Sequence, residues 1–220
     1  LMTAATKRLS KPSRPVKPLT AHILRLLIKS LKLSSSLVLW RTTFRLFIGF
    51  HLAARFSELI HLQLKHIIFT SSGMKINIPR SKTLQHGYTG YISKNINPSH
   101  SWFCPIHFSR TYFALMGITH GDAFLQPKLT GRNKPSHTAA SASYPSCLTD
   151  LRSALSSIGV DPSQYGEHSY RRGSCSTGAA AGASDKEIKR QGRWKSANMA
   201  EHYTDNTTEE RHKFSNLIHI

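Results

Sequence analysis

The sequence predicts an α+β domain, mainly α-helical, with a small antiparallel sheet of about three strands. Three observations predict it. Apolar residues recur at helical spacing in Ile23, Leu24, Leu27, Ile28 and Leu31, and they dominate Leu37 to Phe50. Two short apolar runs, Ile67 to Phe69 and Met74 to Ile78, flank Thr70-Ser71-Ser72-Gly73, which is a hairpin signal. Helical segments with their own start signals return in the last third of the chain.

The elements follow in order. Leu1 to Pro18 carries basic residues and three prolines, which favours an extended arm over a packed element. Such an arm is either a disordered tail or a strap along a polyanion that doubles as a nuclear import signal. Thr20 is placed to cap the first helix, and the apolar stretch Leu37 to Ala54 makes a second. Arg41 and Arg45 interrupt that stretch, so it reads as a core helix and not a membrane span. A third helix begins near Arg55. After the hairpin, Gly90 to Ser93 offers a third strand, and Lys82 falls in the turn that follows the second. Pro105 to Met116 reads as helix. Lys128 to Ser146 is rich in Gly, Ser, Thr, Ala, Pro and His, which predicts a long surface loop. Helices then resume over Cys147 to Ile158, His168 to Ala183, Asp185 to Gln191 with Ser184 as cap, and Ser196 to Tyr203.

Composition narrows the function. The 220 residues, 39% hydrophobic, suffice for one substantial core. Thirty Lys and Arg against 11 Asp and Glu give a formal net charge of +19, with a pI near 10.3. A field of that sign attracts a polyanion, and nucleic acid is the leading partner. Cys104, Cys147 and Cys175 are an odd, scattered set that reads as reduced thiols in an intracellular compartment. Cys104 and His107 make half of a zinc site at most, so no metal and no other cofactor is expected.

The chemistry concentrates in His168-Ser169-Tyr170-Arg171-Arg172-Gly173, then Gly192-Arg193-Trp194-Lys195-Ser196, then Tyr203. Cleaving a phosphodiester without a metal requires cations on the non-bridging oxygens. Arginine suits the task because its planar paired donors match phosphate and its charge persists at any working pH. Arg55 and Arg171 are the candidates. Arg55 can equally pair with Glu58 on its own helical face, and the two roles are compatible. His168 lies three positions before Arg171, so on a helix both can address one phosphate, with the imidazole accepting or donating a proton. Trp194 supplies an indole N–H donor on a large apolar face.

The spacings, 23 residues from Arg171 to Trp194 and nine from Trp194 to Tyr203, resemble the C-terminal signature of tyrosine recombinases. The His-x-x-Arg box matches His168 and Arg171. The family's usual Gly-His-x-x segment stands here as Gly192-Arg193-Trp194, with Trp in the variable His/Trp position. Upstream, Ala54 to Leu59 looks like the first arginine box, and Ile78 to Thr83 like the hairpin carrying the family's lysine. The wording of Arg80 to Thr83 and of His168 to Gly173 is most similar to recombinases of eukaryotic DIRS-like, Ngaro-like or Crypton-like mobile elements.

The resemblance implies the tyrosine recombinase catalytic-domain fold over 20–204, behind a basic arm at 1–19 and before a tail at 205–220 that either docks on a neighbouring protomer or packs on its own domain. It implies that Tyr203 attacks the scissile phosphate to form a 3'-phosphotyrosyl link. Lys82 would protonate the leaving 5'-oxygen, and Arg55, His168, Arg171 and Trp194 would complete the catalytic set with Glu58 in support. Lys75, Arg80, Arg172, Arg193 and Lys195 would touch the DNA backbone. The implied partner is double-stranded DNA within a homotetrameric synaptic complex, without a membrane, in the nucleus of a eukaryote or the cytoplasm otherwise. The family's separate core-binding domain is not recognised in this chain, which alone should bind DNA weakly. Two other readings stay open: a type IB topoisomerase, and a non-catalytic DNA-binding module derived from a recombinase.

Overall fold

A computed structural model describes residues 16–79, 87–93, 103–130 and 134–194, apart from the side chains of 137–140. The arm at 1–15, the lysine turn with Arg80 and Lys82, and everything from Lys195 onward, including the expected helix to Tyr203, lie outside the described residues.

Helix α1 spans Ala21–Ser30, and the Thr20 hydroxyl accepts from the Ile23 N–H at 3.2 Å as the sequence predicts. Helix α2 spans Leu37–Leu52 behind a Ser36 cap and is buried on almost every side. A helix buried on nearly every side belongs in the middle of a domain, and α2 packs against α1, α4, α5 and α6. Its aromatic face makes the core: Phe44 stacks on Tyr112 at 4.0 Å between ring centres, and Trp40 on Phe108 at 5.8 Å. The Tyr112 hydroxyl, deep in that core, donates to the Leu125 carbonyl at 2.7 Å.

The short α3, Phe56–Leu59, leads to a three-stranded antiparallel sheet of β1 (Ile67–Phe69), β2 (Gly73–Ile78) and β3 (Tyr88–Ser93) in the order β1-β2-β3. Ile76 pairs with Ile67 on one side and Gly90 on the other. At Gly90 a Cβ would sit 2.6 Å from the Leu52 side chain at the end of α2, so a larger residue there requires that side chain to shift. Helix α4 is Pro105–Met116, with Pro at its first turn and Gly117 in the left-handed conformation at its end.

The stretch 128–146 departs from expectation. A second antiparallel pair forms there, β4 (Pro127–Leu129) with β5 (Pro135–Ser141), and α5 (Tyr144–Ser157) begins at Tyr144 rather than Cys147. The ladder is made by backbone groups that small polar residues supply as well as large ones. Pro135 costs little because it opens its strand. Ser143 caps α5, with Pro145 in its first turn. Helices α6 (Ser169–Ala180) and α7 (Asp185–Gly192) follow, the latter opened by a reciprocal Ser184 and Glu187 capping box.

The two arginines of α2 do not face solvent. Arg41 pairs with Asp150 of α5 at 2.6 Å and donates to the Pro127 carbonyl at 2.7 Å. Arg45 makes a two-point contact with Glu167, at 3.0 and 3.2 Å, and donates to the Cys147 carbonyl at 2.9 Å. Both members of that second pair are fully buried, so losing either would strand a charge in the interior. All three cysteines are buried and unpaired with one another. Among the described residues no helix is long and apolar enough to cross a membrane.

Candidate phosphate site

The site is built around the end of α2. Ala53 terminates that helix in the left-handed conformation, φ 45° and ψ 39°, and turns the chain sharply into Arg55, which is extended at φ −84° and ψ 153°. The turn leaves the Ala53 carbonyl pointing at two guanidinium groups. Arg171 of α6 donates to it from Nη1 at 2.5 Å, and Arg193, just past α7, from Nη2 at 3.2 Å. Arg171 Nη2 also donates to the Gly192 carbonyl, and its guanidinium lies 4.9 Å from the centre of the Trp194 ring. Positions separated by more than a hundred residues thereby meet at one backbone corner.

Glu58 is the acidic hub. It is 1% exposed and binds Arg55 twice, accepting from its backbone N–H at 2.8 Å and from its Nη1 at 2.9 Å. Its second oxygen also accepts from Arg193 Nη2 at 2.8 Å. Arg193 stacks on the Tyr88 ring at 4.0 Å, which ties the start of β3 to the same cluster.

His168 sits at the start of α6 with its side chain exposed. Partial desolvation, and then the positive charges of Arg171 and Arg55, push its imidazole below the ordinary histidine range. Both arginines also bear on the Tyr88 phenol, which burial pushes above its usual range. These shared fields place Arg55, Arg171 and His168 around one patch. Arg55 remains half-buried, whereas Arg171 is 1% exposed and underlies it. An oxyanion seated there would meet Arg55 and a neutral imidazole, with the buried charge of Arg171 beneath them.

Behind the site, Trp194 packs with Ala53, Cys175 and Ile188 in a small apolar cluster of its own. Gly192 is required by that packing, since a Cβ would lie 2.3 Å from the Trp194 ring. The buried Arg45 and Glu167 pair anchors the residue just before His168, so α6 starts from a fixed point.

The expected residues thus divide. Arg55, Glu58, His168, Arg171 and Trp194 come together. Lys75 lies exposed on β2, its Nζ 5.8 Å from the Tyr91 ring centre. Arg172 and Arg193, expected on the DNA backbone, have buried side chains, at 9% residue and 8% side-chain exposure. Lys82, Arg80, Lys195 and Tyr203 lie outside the described residues. Ala53, Tyr88, Arg45 and Glu167 were not legible as site residues, although a carboxylate directly before His168 was a usable signal. Among the described residues no group of three or more His, Cys, Asp or Glu is arranged to hold a metal ion.

No protein-family model and no curated protein sequence matches this chain. Solved structures do. The XerH site-specific recombinase bound to a palindromic difH substrate in a post-cleavage complex superposes with a TM-score of 0.67 at 10% identity, over 92% of this chain and 53% of that one. The XerA recombinase gives 0.66 at 14% identity, over 96% and 67%. A lambda integrase dimer bound to a COC' core site gives 0.59 at 16% identity, over 91% and 51%. The chain therefore spans about half the length of the XerH and lambda integrase chains. Its fold is that of the tyrosine recombinase catalytic domain.

Proposed function

We propose that this chain is the catalytic domain of a tyrosine recombinase that cuts and rejoins double-stranded DNA without metal or ATP. The observation that carries the reading is the convergence of Arg55 and Arg171 beside His168, on a fold shared with recombinases whose structures contain DNA. The net charge of +19 supports a duplex partner.

In this mechanism the Tyr203 oxygen attacks the scissile phosphorus while Arg55 and Arg171 hold the non-bridging oxygens. Neutral His168 accepts the phenolic proton. The bond to the 5'-oxygen breaks, Lys82 protonates that oxygen, and a 3'-phosphotyrosyl bond keeps the energy of the cleaved linkage. Attack by a 5'-hydroxyl reverses the sequence and joins a strand. Exchange between two duplexes requires four such subunits, so a homotetramer is part of the proposal. So is a role in mobile-element integration in a eukaryotic nucleus, supported by the wording of Arg80 to Thr83 and His168 to Gly173.

The test uses a pool of duplexes of randomised sequence with 5'-bridging phosphorothiolate linkages, which trap the cleaved state. A detergent-resistant adduct whose peptide maps to Tyr203, absent from Tyr203→Phe, is expected. Duplex binding without an adduct, or an adduct on another residue, refutes the reading in favour of a binding module.

The rate should also depend on pH in a defined direction. Because desolvation, and then Arg171 and Arg55, lower the His168 pKa, the imidazole stays neutral below the ordinary value of about 6.5, and the acid limb of adduct formation falls below that pH. Arg55→Gln removes one of the cations and shifts the limb upward. A rate profile with its acid limb above about 6.5 contradicts this assignment.

A further inference from the structure

We propose that Arg193 is a positioning residue, not a phosphate contact: it locks Glu58, and through it Arg55, to the Trp194 end of the site. The proposal rests on the reading of this pocket as a DNA-cutting site.

Arg193 and Ala53 are the only non-glycine residues with positive φ among the described residues, and they touch. At φ 55° and ψ 43°, Arg193 occupies a helix-ending conformation that favours glycine. A strained backbone is retained where the side chain has a compensating use. Here the use is visible. The two Nη atoms of Arg193 make four contacts: Nη1 donates to the carbonyls of Leu52 and Gln191, each at 2.9 Å, and Nη2 to the Ala53 carbonyl at 3.2 Å and Glu58 at 2.8 Å. Their four N–H bonds are thereby taken by protein acceptors, and the Tyr88 ring covers one face of the guanidinium at 4.0 Å. With 8% of the side chain exposed, no terminal donor remains for a phosphate.

What Arg193 joins is separate parts of the site. Glu58 holds Arg55 in place, Ala53 and Gly192 hold Arg171, and Tyr88 opens β3. One guanidinium connects the ends of α2 and α7, the first arginine and β3. Its loss would remove the tie that runs from Glu58, the partner of Arg55, to the ends of α2 and α7, and would loosen the position of Arg55 that a phosphate needs.

Arg193→Gly is the informative variant, because glycine accepts the left-handed corner while every side-chain tie is deleted. At saturating concentrations of the same duplex pool, adduct formation should slow by about 100-fold, the cost typical of a displaced catalytic group. The dissociation constant and the salt slope of binding should stay unchanged. A phosphate contact would behave otherwise: binding would weaken, the slope would drop by about one, and the saturated rate would hold. That result, or an unchanged rate, overturns the inference.

Glu58→Gln provides the second arm. If the two residues act as one unit, Arg193→Gly adds little to Glu58→Gln, in rate and in melting temperature alike; additive losses overturn the inference. Should the unmodified protein form no adduct at all, the parent reading fails. The melting-temperature cycle and the salt slope then still decide whether Arg193 positions Glu58 or meets DNA.

Discussion

Arg171→Lys should lower the rate of covalent adduct formation on duplex DNA by about 100- to 1000-fold, the usual loss when one preorganised donor to a developing oxyanion is removed. Lysine keeps the charge but not the geometry. The Arg171 guanidinium reaches two backbone carbonyls, of Ala53 and Gly192, and lies against the Trp194 ring. A single ammonium satisfies one of these carbonyls and loses the planar stack. The Ala53 carbonyl keeps the donor from Arg193, so the loss of one hydrogen bond and of the stack costs about 1 kcal/mol. The variant should therefore melt modestly lower while binding duplex DNA almost as well, since most of the attraction comes from the overall charge. Adduct kinetics beside fluorescence anisotropy of a labelled duplex check this. A rate within about threefold of the unmodified protein would remove Arg171 from the catalytic set.

Gly173→Ala should destabilise the protein by about 3 kcal/mol or more, because the added methyl meets main chain that cannot step aside. A Cβ at this position would lie 1.8 Å from the Leu19 oxygen and 2.7 Å from its carbonyl carbon. Leu19 is itself fixed, its N–H donating to the Ser169 carbonyl at 2.8 Å, so α6 and the Leu19 segment would have to part. Arg171 and His168 sit on that helix and would move with it. Thermal unfolding should fall by about 10 °C for a chain of this size. Gly178→Ala, five residues further along the same helix, is the internal control. Its Cβ would meet only the Ala183 methyl at an ordinary 3.8 Å, and the helix gains up to about 1 kcal/mol of propensity. Equal melting of the two variants would show that the close approach at Leu19 is not what Gly173 is for.

The same segment illustrates what the sequence could and could not convey. Gly173 to Gly178 is richer in glycine and small polar residues than a helix interior prefers, and composition alone does not say why. The reason at Gly173 is the approach of Leu19, from the other end of the chain. Local signals served better. The Pro105 start and Gly117 end of α4, the hairpin at Thr70 to Gly73, and the Thr20 and Ser184 caps all lie within a few residues of what they determine. The β4 and β5 pair escaped notice because its ladder belongs to the backbone and its side chains are those of a loop. The partners of Arg41 and Arg45 lie 109 and 122 residues away, and nothing near either arginine points to them. Among site residues, motif spacing brought Arg55, His168, Arg171 and Trp194 to attention. It could not distinguish a cation that faces outward from one buried by its neighbours, and Arg193 is the case in point.

One feature of the Ala53 corner bears on how such a pocket endures. The atom that gathers Arg171 and Arg193 is a main-chain oxygen, which every amino acid carries, so no change of side chain at that position deletes the acceptor. What inheritance has to preserve is a bend, together with a residue small enough to occupy it. Pockets organised on the polypeptide backbone can lose nearly all letter-by-letter likeness to their kin and retain their working shape.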